Sequence, residues 1–272
     1  MMKLQFYSPR WGSENVAWDA FFSKVKTSGY DGVEFGIGNA VDERELDLVW
    51  NLAEKYRIRM IAQCYDTGEA DFSKHLDLYG KWFEKIKPYP CVKINSQTGR
   101  DIFSLEQHKV IVDLATQAEQ DIGVEVLHET HRNKMLFAAH IAKDYLRKFP
   151  GMKLTLDISH WVCVGESFLE DQTEAVALAI KRTEHLHARV GYPEGPQVPD
   201  PRVDPWRHAL AVHLSWWDQL IERKKNEDEL LTITTEFGPY PYMVHAPQTG
   251  KPLTDQWEVN CYMMDILRNR YS

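Results

Sequence analysis

Three things are scarce in this chain of 272 residues, and each scarcity excludes something. Long apolar runs are missing: none approaches the roughly 18–20 residues that cross a bilayer, so no membrane association is expected. Cysteine is sparse. Cys64, Cys91, Cys163 and Cys261 lie far apart with no C-x-x-C pair, which argues against a cysteine zinc site and for reduced thiols. Basic charge is short as well, with 32 Lys+Arg against 40 Asp+Glu and a formal charge of −8. A nucleic-acid binder needs a basic stripe to displace phosphate counterions, and only short patches such as Arg223-Lys224-Lys225 occur, so no nucleic-acid partner is expected. The opening Met1-Met2-Lys3-Leu4-Gln5-Phe6 lacks an apolar leader core and a small-residue cleavage site. It reads straight into a strand, and a cytoplasmic location is the expectation.

What is present is the composition of a globular protein: 43% apolar, 26% charged, mean hydropathy −0.46. That excludes disorder and collagen-like structure. Along the chain one pattern recurs, a short β-branched run followed by a helical period. Strand ends are expected at Tyr7, Glu34, Gln63, Asn95, Glu129, Asp157, His187 and Glu236. Between them the pattern predicts helices over 17–28, 43–56, 73–86, 105–120, 137–148, 172–181 and 206–224, with a closing helix over 255–268. Eight alternating units imply parallel strands joined by helical crossovers, and 272 residues over eight units is 34 each. The expected fold is α/β, a single (β/α)8 TIM barrel over 1–272 with an inserted Pro-rich loop at about 190–205, where Pro193, Pro196, Pro199, Pro201 and Pro205 fall. A doubly wound sheet is the rival. Its G-x-G-x-x-G mark is half present, since Gly36-Ile37-Gly38 is followed by Val41 where the third glycine belongs.

In such a barrel reactive groups sit at the C-terminal strand ends. Four consecutive ends carry Glu129, Asp157, His187 and Glu236. Any one of these alone reads as a solvated or ion-paired residue. Together, three carboxylates and an imidazole would repel one another unless a cation lay between them. An oxygen-rich set with one histidine suits Mn²⁺ or Mg²⁺, with Co²⁺ or Zn²⁺ as further candidates. Glu125 shares a strand face with Glu129 and competes for the ligand role; Glu129 is preferred because it ends the strand. A divalent ion holding a carbonyl and its neighbouring hydroxyl would stabilise an enediolate. Glu129 and Glu236 can then form an acid/base pair flanking the substrate. His160 can orient a hydroxyl and Arg189 can neutralise developing charge. Asn95, opening the polar run Asn95–Arg100, suits substrate hydroxyls, a reading preferred over a helix-capping turn. His128 and His131 flank Glu129 as candidate orienting donors; His185, His208 and His213 read as packed residues. Arg10, Arg100 and Arg189 are each candidates for a phosphate on the substrate.

At these residues the chain resembles the xylose-isomerase-like TIM barrel superfamily. The resemblance rests on Gly29-Tyr30-Asp31-Gly32-Val33-Glu34, on Glu129 closing a strand that begins Gly123-Val124, on Asp157-Ile158-Ser159-His160, on His185-Leu186-His187, and on Thr235-Glu236-Phe237-Gly238. It implies that Glu129, Asp157, His187 and Glu236 bind one divalent ion, that His160 contacts substrate or metal, and that the two glutamates work as an acid/base pair on a ketose. The layout is most similar to the sugar isomerases and epimerases. Arg189 departs from their pattern: it follows His187 by two residues rather than several, ahead of the Pro-rich loop. The reading is a metal-dependent isomerase or epimerase of a sugar or related polyhydroxy ketone. The alternative is a dehydratase or lyase on a cyclic polyol or keto acid using the same site. A non-catalytic binding protein and an endonuclease IV-like repair enzyme rank below both. Tryptophan-rich helices suit a homodimer or homotetramer.

Overall fold

Eight parallel strands close into one barrel in sequence order, and the last returns to pair with the first. The computed structural model describes residues 3–227 and 229–272; Met1 and Met2, where the N-terminal reading begins, lie outside the described residues. The strands are β1 (Lys3–Pro9), β2 (Gly32–Gly36), β3 (Arg59–Cys64), β4 (Lys93–Ser96), β5 (Val126–Glu129), β6 (Leu154–Leu156), β7 (Thr183–His187) and β8 (Leu230–Thr234). Helices α1 (Trp18–Thr27), α2 (Glu43–Tyr56), α3 (Phe72–Ile86), α4 (Leu105–Ile122) and α5 (Ala139–Lys148) cover the first half. The second half carries α6 (Ile158–Val164), α7 (Thr173–Arg182), α8 (Arg207–Glu227) and α9 (Gln256–Tyr271). No helix among the described residues is long and apolar enough to cross a membrane.

Local chemistry sets the boundaries. Asp42 accepts from the Glu45 amide and starts α2, and Asp71 does the same for α3 from Lys74. Ser104 and Gln107 exchange bonds as a full capping box at α4, which stops at Gly123 with φ +77°. The strands are buried almost throughout, as parallel strands covered by helices must be. Apolar helix faces such as Phe21, Phe22 and Val25 of α1 and Trp82, Phe83 and Ile86 of α3 pack onto them.

Two differences from the sequence expectation matter. Asp157 and Glu236 lie one and two residues beyond their strands, so both stand on the turns that leave the barrel. The Asp157–His160 run, read as a motif, is the entry to a helix, with Asp157 capping α6 through the Ser159 amide. At seven residues α6 is too short for periodicity to reveal. The Pro-rich stretch after β7 is strapped down: Gly191 donates its amide to His213 of α8, and the Gln197 side chain both gives to and takes from the backbone of Gly238.

Candidate metal centre and its cavity

Glu129, Asp157, His187 and Glu236, brought from the ends of β5, β6, β7 and β8, each offer a ligand atom within 4.8 Å of all the others. All four are buried. Taking one carboxylate out of water without a partner is costly, and taking three is more so. The structure meets part of that cost with Arg189. Its Nη2 pairs with Asp157 and its Nη1 lies 3.6 Å from Glu236 Oε2. Burial would discharge the guanidinium, but Asp157 and Glu236 outweigh it and hold the charge.

Sequence reasoning missed Glu34. Its carboxylate, in the middle of β2, lies 3.0 Å from His187 Nε2 and 3.1 Å from His185 Nε2, and Thr234 donates to it as well. Burial would raise its pKa, but His187 and His185 hold it well below the carboxylate range. A carboxylate only accepts, so His187 presents Nε2–H to Glu34 and turns Nδ1 toward the cluster. That Nδ1 lies 2.8 Å from Glu236 Oε2 and 3.8 Å from Glu129 Oε1, yet makes no hydrogen bond. An unpaired ring nitrogen among carboxylate oxygens, with its other nitrogen on an acid, is the arrangement that orients a metal-binding histidine.

The charge balance points the same way. Glu34, Glu129, Asp157 and Glu236 are opposed by Arg189 and, only where Nδ1 also carries a proton, by His187, which leaves an excess of at least two negative charges. Burial, with Glu236, Asp157 and Glu34 adding to it, pushes the Glu129 carboxyl up to about 8, so an excess proton stands in for a cation. Burial also raises Asp157 against the pull of Arg189. Glu236 would rise with burial, but His187 and Arg189 draw it below the usual value. The donor set fits a divalent ion.

The other expected residues fall into place unevenly. Asn95, expected against substrate, is instead fully buried. Its Nδ2 donates to Glu34 Oε1 at 2.8 Å and Glu129 Oε2 at 3.0 Å, so it ties two acids together. His160 is also fully buried; its Nε2 accepts from Arg189 at 2.7 Å and its ring lies 3.9 Å from that of His131. Neither forms part of the cavity wall, whereas Arg189 and His131 do. Glu125, the competitor of Glu129, precedes β5, is half-buried and pairs with Lys153. His128 points away to Thr98, 2.7 Å distant. Arg100 is committed to Asn133 and to Gly68.

A cavity of about 890 Å³ opens over the cluster. Glu129, His131, Arg189 and Glu236 form one side of it, with Gln97 and Tyr242 beside them. The two glutamates of the ligand set therefore face the same space that a substrate would fill.

No protein-family model matches the chain, and no curated protein matches it. Among solved structures it is similar to the probable 3-DHS dehydratase AsbF of Bacillus anthracis, with 14% identity over 98% of this chain and 99% of that one and a TM-score of 0.62. An AP endonuclease, family 2, from Brucella melitensis matches with 11% identity over 87% and 93% and a TM-score of 0.58. Endonuclease IV from Thermus thermophilus matches with 14% identity over 98% of each chain and a TM-score of 0.57. Identity this low speaks to architecture, and the architecture agrees end to end. By fold, then, the chain is a single (β/α)8 TIM barrel.

Proposed function

We propose that this barrel is a divalent-metal-dependent enzyme that moves a proton on a carbon beside the carbonyl of a sugar-like substrate, as an isomerase or epimerase. One observation carries the reading: Glu129 and Glu236 belong to a single candidate four-residue ligand set and both line the cavity of about 890 Å³. A bound divalent ion would polarise the carbonyl and the adjacent hydroxyl and so acidify the C–H between them. The chain supplies the rest. Glu129 and Glu236, from the two outer strands of the set, take the proton and return it. Arg189, at the wall beside Asp157 and Glu236, faces negative charge that grows on a substrate oxygen. Asn95 and Glu34 hold Glu129 and His187 in place.

A second reading, elimination of water by a dehydratase, has one feature in its favour. His131, outside the four-residue set, lines the cavity and commits Nδ1 to the Arg132 carbonyl, so its neutral ring, held so by burial, keeps Nε2 as an acceptor. Glu129 would then be free to hand a proton to a departing hydroxyl. The neighbour AsbF is named a probable dehydratase.

The experiment is incubation of manganese-loaded protein with a ketose and aldose panel in D₂O, read by NMR and mass spectrometry. Deuterium at the carbon beside the carbonyl, in a product of otherwise unchanged mass, is expected. A product lighter by one water selects the dehydratase. Full activity after chelation rejects both. Glu236→Gln is expected to lower kcat by about 10²–10⁴-fold, the usual contribution of a positioned acid or base.

A further inference from the structure

The cavity is larger than one sugar ring needs. If each pair of heavy atoms displaces about one water's ~30 Å³ share, the twelve heavy atoms of a hexose fill roughly 180 Å³. The available volume is about 890 Å³. The residues that face the metal cluster come from the β5, β7 and β8 side of the barrel mouth. The remaining wall comes from the loop after β1, the end of β2, the first turn of α2 and the end of β3.

That second compartment has its own chemistry. Trp18 and Phe35 meet edge to face with centroids 4.9 Å apart. Tyr65, 46% exposed, lies across Gly36 and Gly38: a Cβ on Gly36 would come 3.0 Å from its ring, and one on Gly38 would come 2.9 Å from its hydroxyl. The Gly-Ile-Gly run therefore makes room for an aromatic platform beside the cavity. Arg10 is 6% exposed, with its guanidinium 3.9 Å over the Trp18 ring. Its Nη2 donates to the Glu14 and Val16 carbonyls, while Nη1 has no partner. Glu45 accepts from Trp18 Nε1 at 3.1 Å and keeps a second oxygen, and Glu14 stands nearby on the same wall. Aromatic faces take the C–H side of a sugar ring. Hydroxyls, which both donate and accept, suit a wall that mixes a guanidinium with carboxylates. One arginine against two glutamates disfavours an anion.

We propose that this compartment is a subsite for a second, neutral sugar ring, so that the substrate is a disaccharide or other glycoside whose reacting ring sits at Glu129 and Glu236. The proposal rests on the metal-dependent reading for the placement of the reacting ring. Titration calorimetry of manganese-loaded protein tests it, comparing glucose and fructose with cellobiose, maltose and lactulose. At least one disaccharide is expected to bind about tenfold tighter than either hexose, the scale of one well-formed stacking contact plus a hydrogen bond. Tyr65→Ala and Glu45→Gln, both at residues outside the buried core, are each expected to reduce that advantage. Disaccharides no tighter than hexoses overturn the subsite, as do variants that weaken both classes by the same factor. Tighter binding of glucuronate than of any disaccharide overturns it too and assigns Arg10 an acid. Deuterium exchange on the bound sugars separates the two ideas: binding with the disaccharide advantage but no exchange sinks the proton-transfer reading alone, and exchange on hexoses without that advantage sinks the subsite alone.

Discussion

Glu34 spends both carboxylate oxygens on His187, and one of them on His185 and Thr234 as well. Its role is to fix which nitrogen of His187 carries the proton. Glu34→Gln replaces one oxygen by a donor that repels that N–H, so metal affinity is expected to fall about 10–100-fold, the usual cost of losing such a partner. Competition with a fluorescent chelator measures this, and unchanged affinity would remove Glu34 from the centre. The four ligand candidates are legible in the sequence because each stands at or within two residues of a strand end and the barrel turns strand ends toward one mouth. Glu34 is expected at a strand end as well, but β2 runs on to Gly36 and leaves it mid-strand. What sequence does not show is that its side chain meets the β7 histidines across the barrel interior. Asn95 reads as a substrate residue from the polar run it opens and His160 from the Asp157–His160 motif, and which way either side chain turns depends on neighbours distant in sequence.

At the scale of elements, boundaries are legible wherever a side chain encodes them. The helix over 43–56 reads at its observed limits because Asp42 caps it, whereas α6 has only two turns and stays hidden. The Pro-rich segment reads as an ordered loop, but its fastening does not. His213 provides part of that fastening: Nδ1 gives its proton to the Ala209 carbonyl and Nε2 accepts from Gly191, so the ring must be neutral. Burial pushes its pKa down from 6.5 to about 4. Between those values the unfolded chain binds a proton that the native one refuses, so stability falls as the pH drops from 6.5 toward 4. A depression of this size corresponds to about 3 kcal/mol at full loss. Melting temperatures recorded from about pH 7 to about pH 4.5 are expected to decline. His213→Gln, though less stable at neutral pH, is expected to show a shallower decline. An equal slope in the variant would assign the acid sensitivity elsewhere.

For the whole molecule, the closed barrel is legible from eight alternating strand–helix units, together with the incomplete G-x-G-x-x-G mark that sets the doubly wound sheet aside. Closure also gathers the ligand set: the four residues come from four separate strands and meet only when the sheet is complete. An ion that binds this state and not the unfolded chain stabilises it by about 2.7 kcal/mol at a hundred times its Kd. For a chain of this size that is roughly 5–10 °C in Tm. Differential scanning with and without Mn²⁺, Mg²⁺, Co²⁺ or Zn²⁺, reversed by EDTA, measures the shift. A melting curve indifferent to all four ions would mean that the cluster holds none.

Arg189 has a consequence for what happens between ions. A guanidinium tethered to the backbone already faces Asp157 and Glu236, so without an ion those two carboxylates still have a cation between them, and the repulsion within the cluster is reduced. A centre that keeps its shape when vacated can be refilled from whatever the surroundings offer. Were an ion held here, its identity would be set by supply as much as by the ligands, and protein purified from differently fed cells would be expected to carry different metals in one and the same pocket.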